Sequence, residues 1–214
     1  MTDGPLVPNL IRYAIPIMIS GLLQLMFNAA DIAVVGRFTG SEALAAVSAS
    51  GPVSNLLVTL FMGFSVGANV YCAQCAGAGD KDGFRRGVHT SMTFSALAGL
   101  GLLVFGLLLS APLLTVIKTP QEIMPLAKLY LRIFFFGVPA TLVYNFGAAI
   151  LRAIGDTRRP LTYLTISGVV NVVLNLLFVN VLHIDYRIAT IIVAVVVVIG
   201  NYVISKFLVF KKKA

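Results

Sequence analysis

The chain has 214 residues, of which 58% are hydrophobic and 11% charged, and its mean hydropathy is +0.95. Because an ordinary soluble domain carries about 25% charged residues, this composition excludes a water-soluble globular fold. The formal net charge of +8 could suit a nucleic-acid partner, but the positions of the charges indicate membrane topology instead.

Long apolar runs without alternation favour transmembrane helices over a β-barrel. The fold class predicted from them is an all-α integral membrane bundle of six transmembrane helices. In chain order, the predicted spans are Ile11–Gly36, Pro52–Ala76, Val88–Ile117, Leu126–Leu151, Leu161–Leu182 and Ile188–Val209.

The sixteen Lys and Arg residues divide unevenly between the two sides that these spans define. Cytoplasmic segments of membrane proteins are enriched in Lys and Arg. The side with more of these residues is therefore predicted to face the cytoplasm, and it includes both termini. The richer side has Arg12, Lys81, Arg85, Arg86, Arg152, Arg158, Arg159, Lys206, Lys211, Lys212 and Lys213; the other has Arg37, Lys118, Lys128, Arg132 and Arg187. We therefore expect a multi-pass membrane protein with lipid contacts and no nucleic-acid partner.

Polar residues in the first span are candidates for function. Asp31 is the acid that this assignment places within the hydrocarbon, where an ionisable side chain is costly and usually functional. Gln24 and Asn28 lie seven and three residues before it, on the same helix face. This stripe should line a cavity inside the bundle.

The fifth span contributes Asn171 and Asn175, again on one face. At 1.5 Å per residue, these amides and Asp31 fall about 9–18 Å from the outer ends of their helices. A carboxylate with two amides can bind a sodium ion through oxygen atoms, or hold a proton. The alternative is that the amides only cross-link helices, at about 0.6 kcal/mol per hydrogen bond.

Two further features bear on function. Pro16 and Gly21 weaken the first helix before Asp31 and predict a bend there. Cys72 and Cys75 form a Cys-x-x-Cys pair, which we interpret as two small packing residues rather than a redox site. No nucleophile with a base, metal-ligand cluster or phosphate-binding glycine loop is evident, so we expect no enzyme and no cofactor.

Several ordered motifs resemble the multidrug and toxic compound extrusion (MATE) transporters. They comprise residues 14–20, Phe27-Asn28-Ala29-Ala30-Asp31, Val35-Gly36, 43–47, Gly63 to Gly67, 74–80, 149–160 and Asn171 to Phe178. The resemblance covers roughly residues 5–182 and implies the N-terminal lobe of a cation-coupled exporter of organic, mostly cationic drugs in a bacterial inner membrane. By position it matches Asp31 to the coupling aspartate and Asn171 to its amide partner. Asn175 stands where many members have aspartate, so the choice of Na⁺ or H⁺ stays open.

Two departures from the family affect the expected function. MATE transporters have two six-helix lobes, whereas this chain resembles one, so we expect no export unless a second lobe or a second copy completes the cleft. Residues 183–214, the sixth span and basic tail, resemble instead the last span of GtrA-like proteins, which are associated with moving lipid-linked sugars. The alternatives to an exporter are therefore a non-transporting membrane scaffold or partner subunit, and a GtrA-like role in polyprenyl-sugar translocation.

Overall fold

The computed structural model describes residues 6–38 and 41–180, which form five α-helices and no strand. The helices are α1 (Leu6–Phe38), α2 (Ser41–Gly77), α3 (Lys81–Val116), α4 (Met124–Ala153) and α5 (Arg158–Asn180). Within these residues, α1 to α4 are long and apolar enough to cross a membrane. The all-α membrane fold is confirmed, and helices occupy the first five predicted spans, although only the first four meet that criterion. The predicted sixth span, in the predicted domain 183–214, lies outside the described residues.

Two helices begin well before their predicted spans. α2 starts at Ser41 rather than Pro52, and α3 at Lys81 rather than Val88. The proline is accommodated inside α2, as neighbouring groups allow in membrane helices. The charged residues at the start of α3 extend that helix beyond its apolar segment, and the side chain of Asp80 caps it by accepting the Gly83 N–H at 2.8 Å.

The helices α2, α3 and α4 pack into a three-helix core, called the trio below. One cluster of its buried apolar residues consists of Ala46, Leu114, Ala127, Leu131, Phe135, Val138 and Leu142. Small residues on α3 allow the close approach of α4, as is common between membrane helices. A Cβ atom at Gly99 would meet the backbone of Pro139, and one at Gly106 would overlap the Phe135 ring.

The two cysteines belong to the same packing arrangement. Cys72 and Cys75 are free thiols, both buried on α2. Their sulfur atoms lie against the positions where α3 has Gly87 and Gly83. This arrangement agrees with the interpretation of the cysteines as small packing residues.

α1 and α5 form a second unit, called the pair below, which packs more closely together than either helix packs on the trio. At its centre the Phe27 ring occupies the space that a side chain at Gly168 would need. Among the described side chains of α1, none is buried. The pair is therefore held mainly by one face of α1.

Candidate functional site

The relative direction of α1 and α5 determines which of their polar residues can meet. Near the start of α1, the Tyr13 hydroxyl donates a hydrogen bond of 3.2 Å to the Arg152 carbonyl at the end of α4. α5 begins at Arg158, just after that point, and Phe27 meets Gly168 farther along both helices. α1 and α5 are therefore parallel, and their common starting end is called the basal end below.

The contact between Phe27 and Gly168 fixes the register of the pair. Asp31 lies one turn beyond Phe27, about 6 Å along α1, and Asn171 lies about 4.5 Å beyond Gly168 along α5. The two residues are thus at nearly the same height in neighbouring parallel helices. The matched depth expected from the sequence is reproduced by the packing of the pair.

The surroundings of the three candidate ion-coupling residues differ. Asp31 and Asn171 are both half-buried, and each already has an interaction partner. Asn175 lies within α5, one turn beyond Asn171, but its side chain is outside the described part of the structure. The structure therefore places Asp31 and Asn171 at similar heights on neighbouring helices, and a shared site of Asp31, Asn171 and Asn175 stays a prediction.

The other two polar residues of the α1 stripe face an open groove between α1 and α2. Gln24 and Asn28 are exposed and line this groove, which has a volume of about 580 Å³. Its remaining lining residues are Met18, Gly21, Leu22, Leu25, Val58 and Met62. The size lies in the usual range for a small-molecule site, and its apolar walls with two amides suit an amphipathic molecule.

Asp31 lies between the groove and the interface with α5. At 100° per residue, Asp31 is rotated about 40° from Phe27 and about 60° from Asn28 around the α1 axis. The carboxylate position therefore borders both the face that packs on α5 and the face that lines the groove.

The predicted bending residues lie in an uninterrupted helix. α1 runs through Pro16 and Gly21, and the Ser20 hydroxyl donates to the Pro16 carbonyl at 2.7 Å. A Cβ atom at Gly21 would meet nothing within 4 Å. The continuity of α1 leaves the predicted bend untested, and the open space beside Gly21 would accommodate one.

Sequence reasoning missed a group of polar contacts at the end of α4. Besides Tyr13, the Asn69 side-chain amide of α2 donates a hydrogen bond to the Ala149 carbonyl. Tyr144, on α4, donates to the Pro160 carbonyl at 3.0 Å. Aromatic and amide residues near span ends are common in membrane helices, so their types alone do not identify their partners.

Comparison with known proteins places these features in a family. Residues 16–177 match the family model described as MatE. The chain is 31% identical over 180 residues to the probable multidrug resistance protein YpnP of Bacillus subtilis (strain 168), covering 84% of this chain and 40% of that protein. These matches give no support to the GtrA-like resemblance of the tail.

Two solved structures show the same fold. A crystal structure of MATE in complex with MaD3S is 28% identical with a TM-score of 0.85, and a crystal structure of MATE in the bent conformation is 26% identical with a TM-score of 0.86. Each match covers 96% of this chain and 46% of the other. The chain thus spans less than half the length of these relatives.

Proposed function

Because the chain belongs to the MatE family, we propose that it forms one lobe of a cation-coupled exporter of small, mostly cationic organic compounds. The family consists of transporters, so the expectation that the chain is not an enzyme is confirmed. We propose further that it lies in a bacterial inner membrane with both termini in the cytoplasm. The basal end, where Lys81, Arg85 and Arg158 are exposed, then faces inwards.

The observation that carries this proposal is the register of the pair. The Phe27–Gly168 contact supports a shared site for Asp31 and Asn171, with Asn175 one turn away. In the proposed site the carboxylate and amide oxygens bind Na⁺, or Asp31 takes up H⁺ and the amides orient it. Because Asp31 lies on α1 next to the face that lines the groove, we propose that ion binding there alters the site that Gln24 and Asn28 offer to the exported compound.

Export requires a second lobe in this proposal. The groove is open along α1 and α2, and alternating access needs a second rigid body around the central site. We propose that a further part of the same polypeptide or another polypeptide supplies the second lobe, and a second copy of this chain is the alternative that the export test decides. Without one, the Gln24 and Asn28 amides face lipid, which is unfavourable.

Ion-linked stability of the purified protein tests the coupling site. A bound ion raises the unfolding free energy by about 2.7 kcal/mol at one hundred times its Kd. We therefore expect the Tm of the purified chain to rise with NaCl relative to choline chloride, or to change with pH. Asp31→Asn should remove that response, whereas Asp82→Asn, at an exposed carboxylate on α3, should retain it.

An unchanged ion response in Asp31→Asn would contradict the coupling role and leave the polar residues as structural cross-links. Export is tested separately by ethidium efflux from a bacterium that lacks its own pumps. The chain alone should give no gradient-dependent efflux. Efflux that depends on Asp31, from this chain and no other lobe, would show that two copies suffice and would contradict the need for a different second lobe.

A further inference from the structure

The last turn of α4 joins three parts of the chain through its backbone carbonyl groups. The final carbonyls of any helix lack partners within the helix. Here the Arg152 carbonyl, one of the last four of α4, accepts from Tyr13 on α1, and the Ala149 carbonyl, just before those four, accepts an additional hydrogen bond from Asn69 on α2. The Arg152 carbonyl also accepts the Gly155 N–H, at 2.9 Å, from the connection that leads to α5.

The two contacts from other helices differ in what their loss would leave behind. Breaking the contact of Asn69 with Ala149 would leave a carbonyl without that partner on a residue that is only 4% exposed. Breaking the contact of Tyr13 with Arg152 leaves the carbonyl bonded to Gly155, and both residues are half-exposed, so water can satisfy the phenol. Since a large cost arises only when a buried group loses every partner, and the Arg152 carbonyl keeps the Gly155 N–H, the tyrosine contact can break and re-form at small cost.

The position of Tyr13 makes this contact relevant to movement. Tyr13 lies one turn before Pro16, so it belongs to the basal segment of α1, on the far side of Pro16 and Gly21 from Asp31. A bend at Pro16 and Gly21 would move this segment relative to the trio. The hydrogen bond to Arg152 spans that gap between the pair and the trio.

We propose that the Tyr13–Arg152 hydrogen bond is a releasable latch, which holds the basal segment of α1 against the end of α4 and opens when α1 bends at Pro16 and Gly21. The inference extends the proposed function, since it names a contact that movement of the lobe must break. It requires only that the basal segment of α1 can move, and it does not depend on which ion binds. Tyr13 acts here as a positioning residue.

A distance measurement on the purified chain tests the latch. Spin labels at Leu10→Cys and Ile154→Cys, both exposed positions, report the separation of the α1 segment from the end of α4. The native cysteines are replaced by alanine in all samples. In the Tyr13→Phe variant we expect the distance distribution to gain a component several ångströms longer than in the parent.

Tyr144→Phe is the matched control, because it also removes one phenol that donates to a backbone carbonyl near the basal end. It should leave the distribution unchanged. Adding Pro16→Ala to Tyr13→Phe should reduce the longer component, since restoring the backbone donor stiffens the proposed hinge. That reduction would not follow from a purely structural role of Tyr13.

A Tyr13→Phe distribution identical to that of the parent would overturn the latch, as would equal lengthening in Tyr144→Phe. Failure of the proposed function is distinguishable from either result. The sodium and pH response of Tm is measured on unlabelled protein and depends on Asp31. If the parent protein shows no sodium or pH response of Tm, but Tyr13→Phe shows the longer distance, the coupling site is rejected and the latch is supported.

Discussion

The trio and the pair are built from similarly apolar helices but are held together in different ways. In the trio, α3 presents glycine and serine residues that are buried against α2 and α4, and the largest fully buried side chains are Phe135 and Phe146. In the pair, α1 has no buried side chain among its described residues, and its polar stripe lies beside the one face that contacts α5. The close packing and the candidate functional residues are therefore in different parts of the lobe.

This separation has a physical reason. The trio encloses a cluster of buried apolar side chains between its three helices, and well-packed interiors tolerate few rearrangements. A helix that rests on one neighbour and borders an open groove can move while losing few contacts. The trio thus suits a rigid frame, and the pair suits a part that responds to an ion or a bound compound.

The largest expected loss of stability comes from a substitution in the core of the trio. Gly106→Ala should lower the stability of the chain by about 1–3 kcal/mol, since the added methyl group overlaps the Phe135 ring. Gly101→Ala, on the same helix with nothing within 4 Å, is the control and should be close to neutral. Thermal unfolding in detergent compares the two variants. Equal Tm values would show that the trio is less rigid than its packing indicates.

The next effect should be confined to the pair. Gly168→Ala places a methyl group in the space of the Phe27 ring, and we expect a loss of about 1–2 kcal/mol, at the lower end of overpacking. Hydrogen exchange should become faster in α1 while exchange in the trio is unchanged. Adding Phe27→Leu should recover part of the loss, because the smaller side chain frees that space. Faster exchange throughout the lobe would contradict the division into two units.

A smaller loss of stability is expected when the hydrogen bond between α2 and α4 of the trio is removed. Asn69→Ala removes the hydrogen bond to the Ala149 carbonyl. Such bonds in membrane proteins contribute about 0.6 kcal/mol on average and up to about 1.7 kcal/mol. Asn55→Ala, at an exposed position of α2, is the matched control. The difference in Tm between these two variants measures the contact, and its absence would show that water replaces the amide.

The smallest effect on stability is expected from single cysteine substitutions at exposed loop positions, which test the orientation of the chain in the membrane. In a background in which Cys72 and Cys75 are alanine, single cysteines are placed at Glu122, between α3 and α4, and at Ala78, at the basal end; both positions are exposed. A membrane-impermeant thiol reagent applied to intact cells should label the first and not the second. Neither change should alter Tm measurably. The reverse pattern would contradict cytoplasmic termini.

The features that could be predicted from the sequence are those that depend on the apolar membrane environment and on the regular geometry of α-helices. Apolar length predicted the first five helices, and the periodicity and depth of Asp31 and Asn171 anticipated their matched heights. The starts of α2 and α3 were wrong by several residues, because a helix can continue through Pro52 and beyond the apolar segment. The Tyr13 contact joins residues 139 positions apart, and no local pattern specifies such a pairing.

The parallel packing of α1 on α5 also has a consequence for biosynthesis. The trio is formed by consecutive helices, so its contacts can form as soon as each new helix emerges, whereas about 120 residues separate the end of α1 from the start of α5. At typical rates of translation, about 6–24 s pass before the partner of α1 exists. During this interval Asp31 has no α5 beside it. The main packing partner of α1 is therefore the last of the described helices to be synthesised.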